Sequence, residues 1–135
     1  LALTDINNMY GAIEFSNACH HYDIKPIFGM QGDVLIDQEV YPFLFYAKDQ
    51  IGYHDLMKIC SDINLSEHKA IELERLFLYR EHLFILSGCK EGIVERLVLK
   101  ELESEALKYI ALFKKMFKDN YYICTQTGII WNIWL

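Results

Sequence analysis

The sequence contains little proline and glycine, the residues that dominate linkers and disordered segments. Two Pro and seven Gly occur among 135 residues, and 53% of the residues are hydrophobic. Such a chain can bury enough apolar surface for one core and is too short for a second core of similar size. We therefore predict a single folded domain over residues 1–135.

Positive charge and long apolar runs are also scarce. Thirteen Lys and Arg stand against nineteen Asp and Glu, which gives a formal net charge of −6. Because binding to a phosphate backbone depends on clustered positive charge, we expect no duplex DNA binding by this chain alone. No apolar run approaches the ~20 residues of a membrane-spanning helix, so we expect no membrane partner.

The four cysteines form no zinc-finger pattern. Cys19, Cys60, Cys89 and Cys124 include no C-x-x-C pair and have no histidine at finger-like spacing. No signal peptide precedes them, and their neighbours are apolar. We predict that these thiols are reduced and mostly buried. Because cysteines stay reduced in the cytosol, we also predict a cytoplasmic protein.

Both ends of the sequence are apolar. It opens with Leu1, Ala2 and Leu3, and its last seven residues, 129–135, carry no charge. Natural termini are seldom so apolar, and we expect an excerpt of a longer protein whose final segment packs on a part that the excerpt lacks. A mature chain with an apolar tail is the alternative.

The spacing of apolar residues predicts alternating strands and helices. Strands are expected over 1–4, 24–30, 41–47, 83–86 and 121–125, and helices over 9–22, 53–63, 67–79, 93–97 and 102–118. Residues 31–39 are mixed in polarity, which is typical of a loop or a short hairpin arm. Strands that alternate with helices favour an α/β fold with a parallel sheet or barrel inside a layer of helices.

Five segments match the motifs of one family in the same order. Residues 1–15 are similar to "ALTDHxNxxGAxEF" and residues 24–30 to an "IKPIIGxE" strand. Further matches are residues 47–58 with "AKNxxGYxxLMKL", 86–89 with "LSGC" and 117–122 with "FGDxFY". Together these segments resemble the PHP (polymerase and histidinol phosphatase) domain of bacterial DNA polymerase III α subunits. The resemblance extends to about residue 126 and implies part of a distorted (β/α)7 barrel. Its first strand and H-x-H metal motif would be missing before Leu1.

The resemblance also implies a metal site, which this chain has altered. In active members His, Asp, Glu and Cys side chains hold two or three metal ions for phosphoester hydrolysis. The matching positions here hold Ile6 for the His of "TDH", Gln31 for the Glu of "IGxE", Pro42 for a further His, and Cys89, which keeps a ligand type. Ile and Pro side chains have no donor atom, and an amide brings no charge to offset that of a dication. Residues 127–128 also lack the acidic or histidine pair that relatives often show. We predict a degenerate site with no catalytic residue and no cofactor in this chain.

The function that the resemblance implies is structural. Such a domain packs on the other domains of the replicative polymerase and, in relatives, can dock a separate proofreading exonuclease. DNA would be contacted only through the longer chain, whose nucleotidyl transfer uses Mg²⁺ by family resemblance.

Two further hypotheses remain open. One is a metal-dependent PHP phosphoesterase or proofreading nuclease with an atypical site that uses Cys89. The other is a free-standing interaction module unrelated to replication.

Overall fold

The computed structural model describes residues 1–125, which form one mixed sheet and a set of helices. The strands are β1 (Ala2–Ile6), β2 (Ile27–Ile36), β3 (Glu39–Ala47), β4 (Ile71–Glu72), β5 (Leu83–Ser87) and β6 (Tyr121–Tyr122). The helices are α1 (Ala12–His21), α2 (Gln50–Leu65), α3 (Leu73–Phe77), α4 (Ile93–Leu99) and α5 (Glu103–Phe117), with single 3-10 turns at Arg80–His82, Cys89–Glu91 and Lys118–Asn120. The predicted α/β class is confirmed. The predictions for residues 127–128 and 129–135 lie outside the described residues.

The sheet is mixed, so the expectation of parallel strands throughout is wrong. Its order is β1-β2-β3-β5-β6, with β4 beside β2. β3 is antiparallel to both of its neighbours, whereas β1 with β2 and β5 with β6 are parallel. The cause is a two-residue turn in which Asp37 and Gln38 both take positive φ, 49° and 67°. Such turns match the twist of paired strands and join them directly into a hairpin.

Of the two alternatives for residues 31–39, the hairpin arm is confirmed and the loop is not. Residues 31–36 extend β2, because Gly32, Val34 and Ile36 alternate with less buried residues and cover the core. One predicted helix, in contrast, is wrong. The helix predicted over 67–79 is divided into β4, α3 and a turn, because Lys69 takes a φ of 52° and Ile71 pairs with Val34. Apolar residues spaced three and four apart suit a short helix beside a strand as well as one long helix.

The core lies between one face of the sheet and the helices. Phe43 and Phe45 of β3 are fully buried on this face. The Phe113 ring of α5 stands edge-on to Phe43, with 5.5 Å between centroids. Ile63 of α2 is also fully buried, beside Gly32 of β2. Each fully buried aromatic or aliphatic side chain contributes about 1.5–3 kcal/mol relative to exposure.

The opposite face of the sheet is only partly covered within residues 1–125. Strand register places one row of side chains across it, and we call this row the open face: Ile6, Gln31, Leu44, Leu86 and Tyr122. Ile6 is 63% exposed and Tyr122 is 50% exposed. Since sheets with parallel strands are usually covered on both faces, this much exposed apolar surface indicates a surface that packs against something further.

The described helices are too short or too polar for a bilayer. Within residues 1–125, none has the length and apolar character that a membrane-spanning helix needs.

Helix α2 begins at a charged cap. Asp49 Oδ1 accepts a 2.9 Å hydrogen bond from the Gly52 N–H, and Asp49 Oδ2 lies 2.8 Å from His82 Nδ1. The Gly52 hydrogen bond and then the His82 hydrogen bond lower the pKa of Asp49 below its usual value. The cap therefore links the start of α2 to the turn before β5.

We expect Asp49→Asn to make the pH dependence of stability shallower in acid. The amide keeps a cap acceptor but loses the charge. A carboxylate with a lowered folded-state pKa stabilises the fold above its unfolded pKa, and that contribution is lost as the pH falls through the folded pKa. The urea midpoint of the wild type should therefore exceed that of the variant at neutral pH, and the gap should close in acid. A gap that stays constant down to pH ~2 would contradict this linkage. Asp119→Asn, at an exposed turn, is the control.

Candidate functional site

The four positions matched to the family's metal ligands lie near one end of the sheet. Ile6, the last residue of β1, is the register partner of Gln31 in β2. Pro42 of β3 pairs with Asp33, two residues beyond Gln31, and Cys89 follows the last residue of β5 by two positions. The carboxyl ends of β1 and β5 therefore bring these positions together, at the edge where α/β folds commonly bind ligands.

The donors at this edge do not fit a cluster of dications. The Ile6 and Pro42 side chains offer no lone pair, and Gln31 offers only a neutral amide. The nearest acidic side chain on this face, Asp33, accepts a 3.2 Å hydrogen bond from Asn7 Nδ2, while its backbone N–H donates to Asn7 Oδ1 at 3.3 Å. Among residues 1–125, no three His, Cys, Asp or Glu side chains converge as a metal ion would require. The pairing of Asn7 with Asp33 ties β1 to β2.

Cys89 is joined to Cys124 in a disulfide, with 5.0 Å between Cα atoms. The prediction of reduced thiols is therefore wrong for this pair, whereas Cys19 and Cys60 are free. The reason is strand register. Leu86 pairs with Tyr122 in the parallel strands β5 and β6, so both cysteines follow this pair within three residues. Their separation of 35 residues in sequence hides this proximity. A disulfide sulfur carries no thiolate charge, so the one ligand type that this chain keeps is not available as a thiolate while the bond is formed.

A buried polar cluster lies beside the disulfide and was not predicted from the sequence. The Ser87 hydroxyl donates to Glu95 Oε1 of α4 and accepts a 2.8 Å hydrogen bond from the Cys124 N–H. Glu95 Oε2 and the Tyr121 hydroxyl are buried and find no hydrogen-bond partner within residues 1–125. Burial, and secondly the charge of Glu95, raises the pKa of Tyr121 well above its usual value. The one signal in the sequence is Glu95 itself, a carboxylate in an otherwise mostly apolar segment, IVERLVL.

A second feature is a cleft toward the opposite end of the strands. Its volume is about 940 Å³, and it opens between α1, the start of α2 and the sheet. The lining includes Ile13, Ile27, Tyr46, Phe84 and Tyr122, with Lys25 among its polar groups. Because this lining is mainly apolar, the cleft offers contact area more than reactive groups.

Sequence comparison decides the family of the chain. The profile of the PHP domain matches residues 1–128. The chain belongs to the PHP domain family. The resemblance inferred from five short segments is thereby confirmed over nearly the whole PHP chain.

The PHP chain is similar to part of much longer bacterial proteins. It is 34% identical over 130 residues to DNA polymerase III subunit alpha of Bacillus subtilis (strain 168). The proteins of the same name are 30% identical over 140 residues in Borreliella burgdorferi and 33% identical over 144 residues in Treponema pallidum. Each alignment covers 93% of the PHP chain and 12% of the relative. The PHP chain thus spans about 12% of the length of these curated relatives.

Proposed function

We propose that this PHP chain is a structural and docking domain of the α subunit of a replicative DNA polymerase III, with a degenerate metal site. The similarity to three polymerase α subunits over 93% of the chain supports the assignment to that subunit. The proposed location is the cytoplasm, where bacterial replication takes place.

One observation supports the proposed loss of the metal site. Ile6 and Gln31 are register partners on neighbouring strands, so a side chain without donor atoms stands beside a neutral amide. Moving a dication out of water requires charged or strongly donating ligands to replace its hydration shell. With Pro42 on the next strand and Cys89 in a disulfide, these four positions supply no anionic ligand.

The proposal includes a distorted (β/α)7 barrel, of which the described sheet forms one part. Within residues 1–125, the large helices α2 and α5 pack against the face that carries Phe43 and Phe45. The open face, with exposed Ile6 and Tyr122, then corresponds to the barrel interior. In a closed barrel the helices surround the sheet and the remaining strands cover its inner face.

The proposed partners are the other domains of the polymerase, with a separate proofreading exonuclease as a further docking partner. The net charge of −6 supports contact with DNA only through the longer chain. Mg²⁺ would then serve the polymerase reaction outside this domain. The nuclease hypothesis relied on Cys89, whose thiol is not free while the bond to Cys124 is formed.

Metal analysis of the full-length protein tests this proposal. Protein purified without chelator is expected to contain substoichiometric zinc and manganese and to hydrolyse no p-nitrophenyl phosphate, because the donors are missing. Gln31→Leu, which removes the last polar side chain among the three altered positions, should change neither result. Stoichiometric metal that is lost in Cys89→Ser, together with phosphoester hydrolysis, would replace the structural role with that of an atypical nuclease or phosphoesterase.

A further inference from the structure

We propose that the Cys89–Cys124 disulfide is a reversible redox clasp that fixes the end of β6 to the turn after β5. The clasp joins two adjacent parallel strands at their carboxyl ends. The inference rests on the contacts around this bond and is independent of the proposed polymerase role.

Among residues 1–125, few other contacts hold the short segment that follows β6. The strand pairs with β5 at two positions only, through Tyr121 and Tyr122. Tyr121 is anchored in the core, with its ring centroid 5.3 Å from that of Phe113. Beyond it, Tyr122, Ile123 and Thr125 are exposed. Within the described residues, Cys124 is retained by the disulfide and by the 2.8 Å hydrogen bond from its N–H to Ser87 Oγ.

Breaking the bond should therefore release a short, defined segment. Without the disulfide, residues 123–125 keep one side-chain hydrogen bond within the described part of the chain and little buried surface, which is typical of segments that open locally. Tyr121 stays in place because its ring is packed among aromatic side chains of α5. Cys89 has a φ of 53°, a conformation that residues with a Cβ seldom adopt, so its turn also gains freedom when the sulfur is released.

The bond is accessible to exchange. Both cysteines are only half-buried, whereas the free Cys19 is buried. A small thiolate attacks one sulfur, the Cys89–Cys124 bond breaks and a mixed disulfide forms. A second small thiol displaces the protein sulfur, so the small thiols leave joined by a new S–S bond. The protein gains two electrons and two protons as two thiols. The reverse exchange with a small disulfide closes the clasp, and accessible disulfides are the labile ones.

The test is a thiol–disulfide titration of the full-length protein. The protein is equilibrated at reduced-to-oxidised glutathione ratios from fully reducing to fully oxidising. Free thiols are then trapped by alkylation and quantified by peptide mass spectrometry. We expect Cys89 and Cys124 to lose alkylation together in one two-electron transition. Hydrogen exchange at the Cys124 amide should be at least about tenfold faster on the reducing side.

Two variants and two outcomes complete the test. Cys124→Ser should show the fast exchange at every ratio, and Cys60→Ser, which removes another half-buried cysteine, should behave as the wild type. If Cys89 and Cys124 titrate independently, or remain joined at every ratio, the reversible clasp is refuted. Equal exchange of the Cys124 amide in both states would also refute it. The wild-type titration gives this answer even where a variant fails to fold.

Discussion

Replacing Phe113 with alanine is expected to lower the free energy of unfolding by about 3–5 kcal/mol. Phe113 is fully buried in α5, and its ring centroid lies 5.5 Å from that of Phe43 and 5.3 Å from that of Tyr121. Truncation would leave a cavity where α5 packs on β3 and β6, at a point where the Phe113 ring stands edge-on to Phe43. It would thus remove the side chain that joins α5 to the central strand β3 and to the edge strand β6.

The comparison for this variant is Leu112→Ala in the same helix. Leu112 is 39% exposed, so its truncation removes less buried surface and should cost about 1 kcal/mol. Both values are measured by urea denaturation followed by circular dichroism. Equal losses for the two variants would mean that α5 does not pack on the sheet as described.

Gly88→Ala is expected to destabilise the fold by about 3 kcal/mol, the upper part of the usual range for overpacking. A Cβ at Gly88 would overlap the backbone carbonyl oxygen of Pro42 on β3. Because that atom belongs to the main chain, the clash is relieved only by moving β5 away from β3. The glycine of the "LSGC" segment is therefore required for close approach of two backbones, apart from any role in a metal site.

A matched glycine provides the control. At Gly11 a Cβ would come within 3.0 Å of Asp5 Oδ2 and 3.1 Å of Leu3 Cδ2, both side-chain atoms that can move. Gly11→Ala should therefore cost clearly less than Gly88→Ala in the same denaturation experiment. If Gly11→Ala destabilised the fold more than Gly88→Ala, the close approach of β5 to β3 would be wrong.

The sequence predicted those elements that depend on the pattern of residues close together in the chain. The amphipathic pattern gave α2 and α5, and the aromatic run 41–47 gave the inner part of β3. The β2–β3 hairpin remained one of two alternatives for residues 31–39, because Asp37-Gln38 is not one of the usual glycine-containing pairs of such turns. Once that hairpin exists, β3 must run antiparallel, and no apolar periodicity reveals strand direction.

In the candidate site too, features carried by contiguous residues were predicted, and contacts that depend on the folded sheet were not. The motifs correctly indicated the family and the segment that holds Cys89, because family segments are contiguous in sequence. The disulfide with Cys124 and the Ser87–Glu95 hydrogen bond depend on how α4 and β6 return to β5. Those contacts join residues up to 35 positions apart, and only the register of the folded sheet brings them together.

Covering the open face would remove the exposed surfaces of Ile6 and Tyr122 from water together with their apolar neighbours. Burial of such surface lowers the heat capacity and, near room temperature, is driven mainly by the entropy of released water. Packing of the remaining strands of the proposed barrel against this side of the sheet should consequently weaken on cooling. The Asp49–His82 hydrogen bond and the disulfide do not depend on this driving force, so cold would loosen the packing over the open face before it loosens these two links.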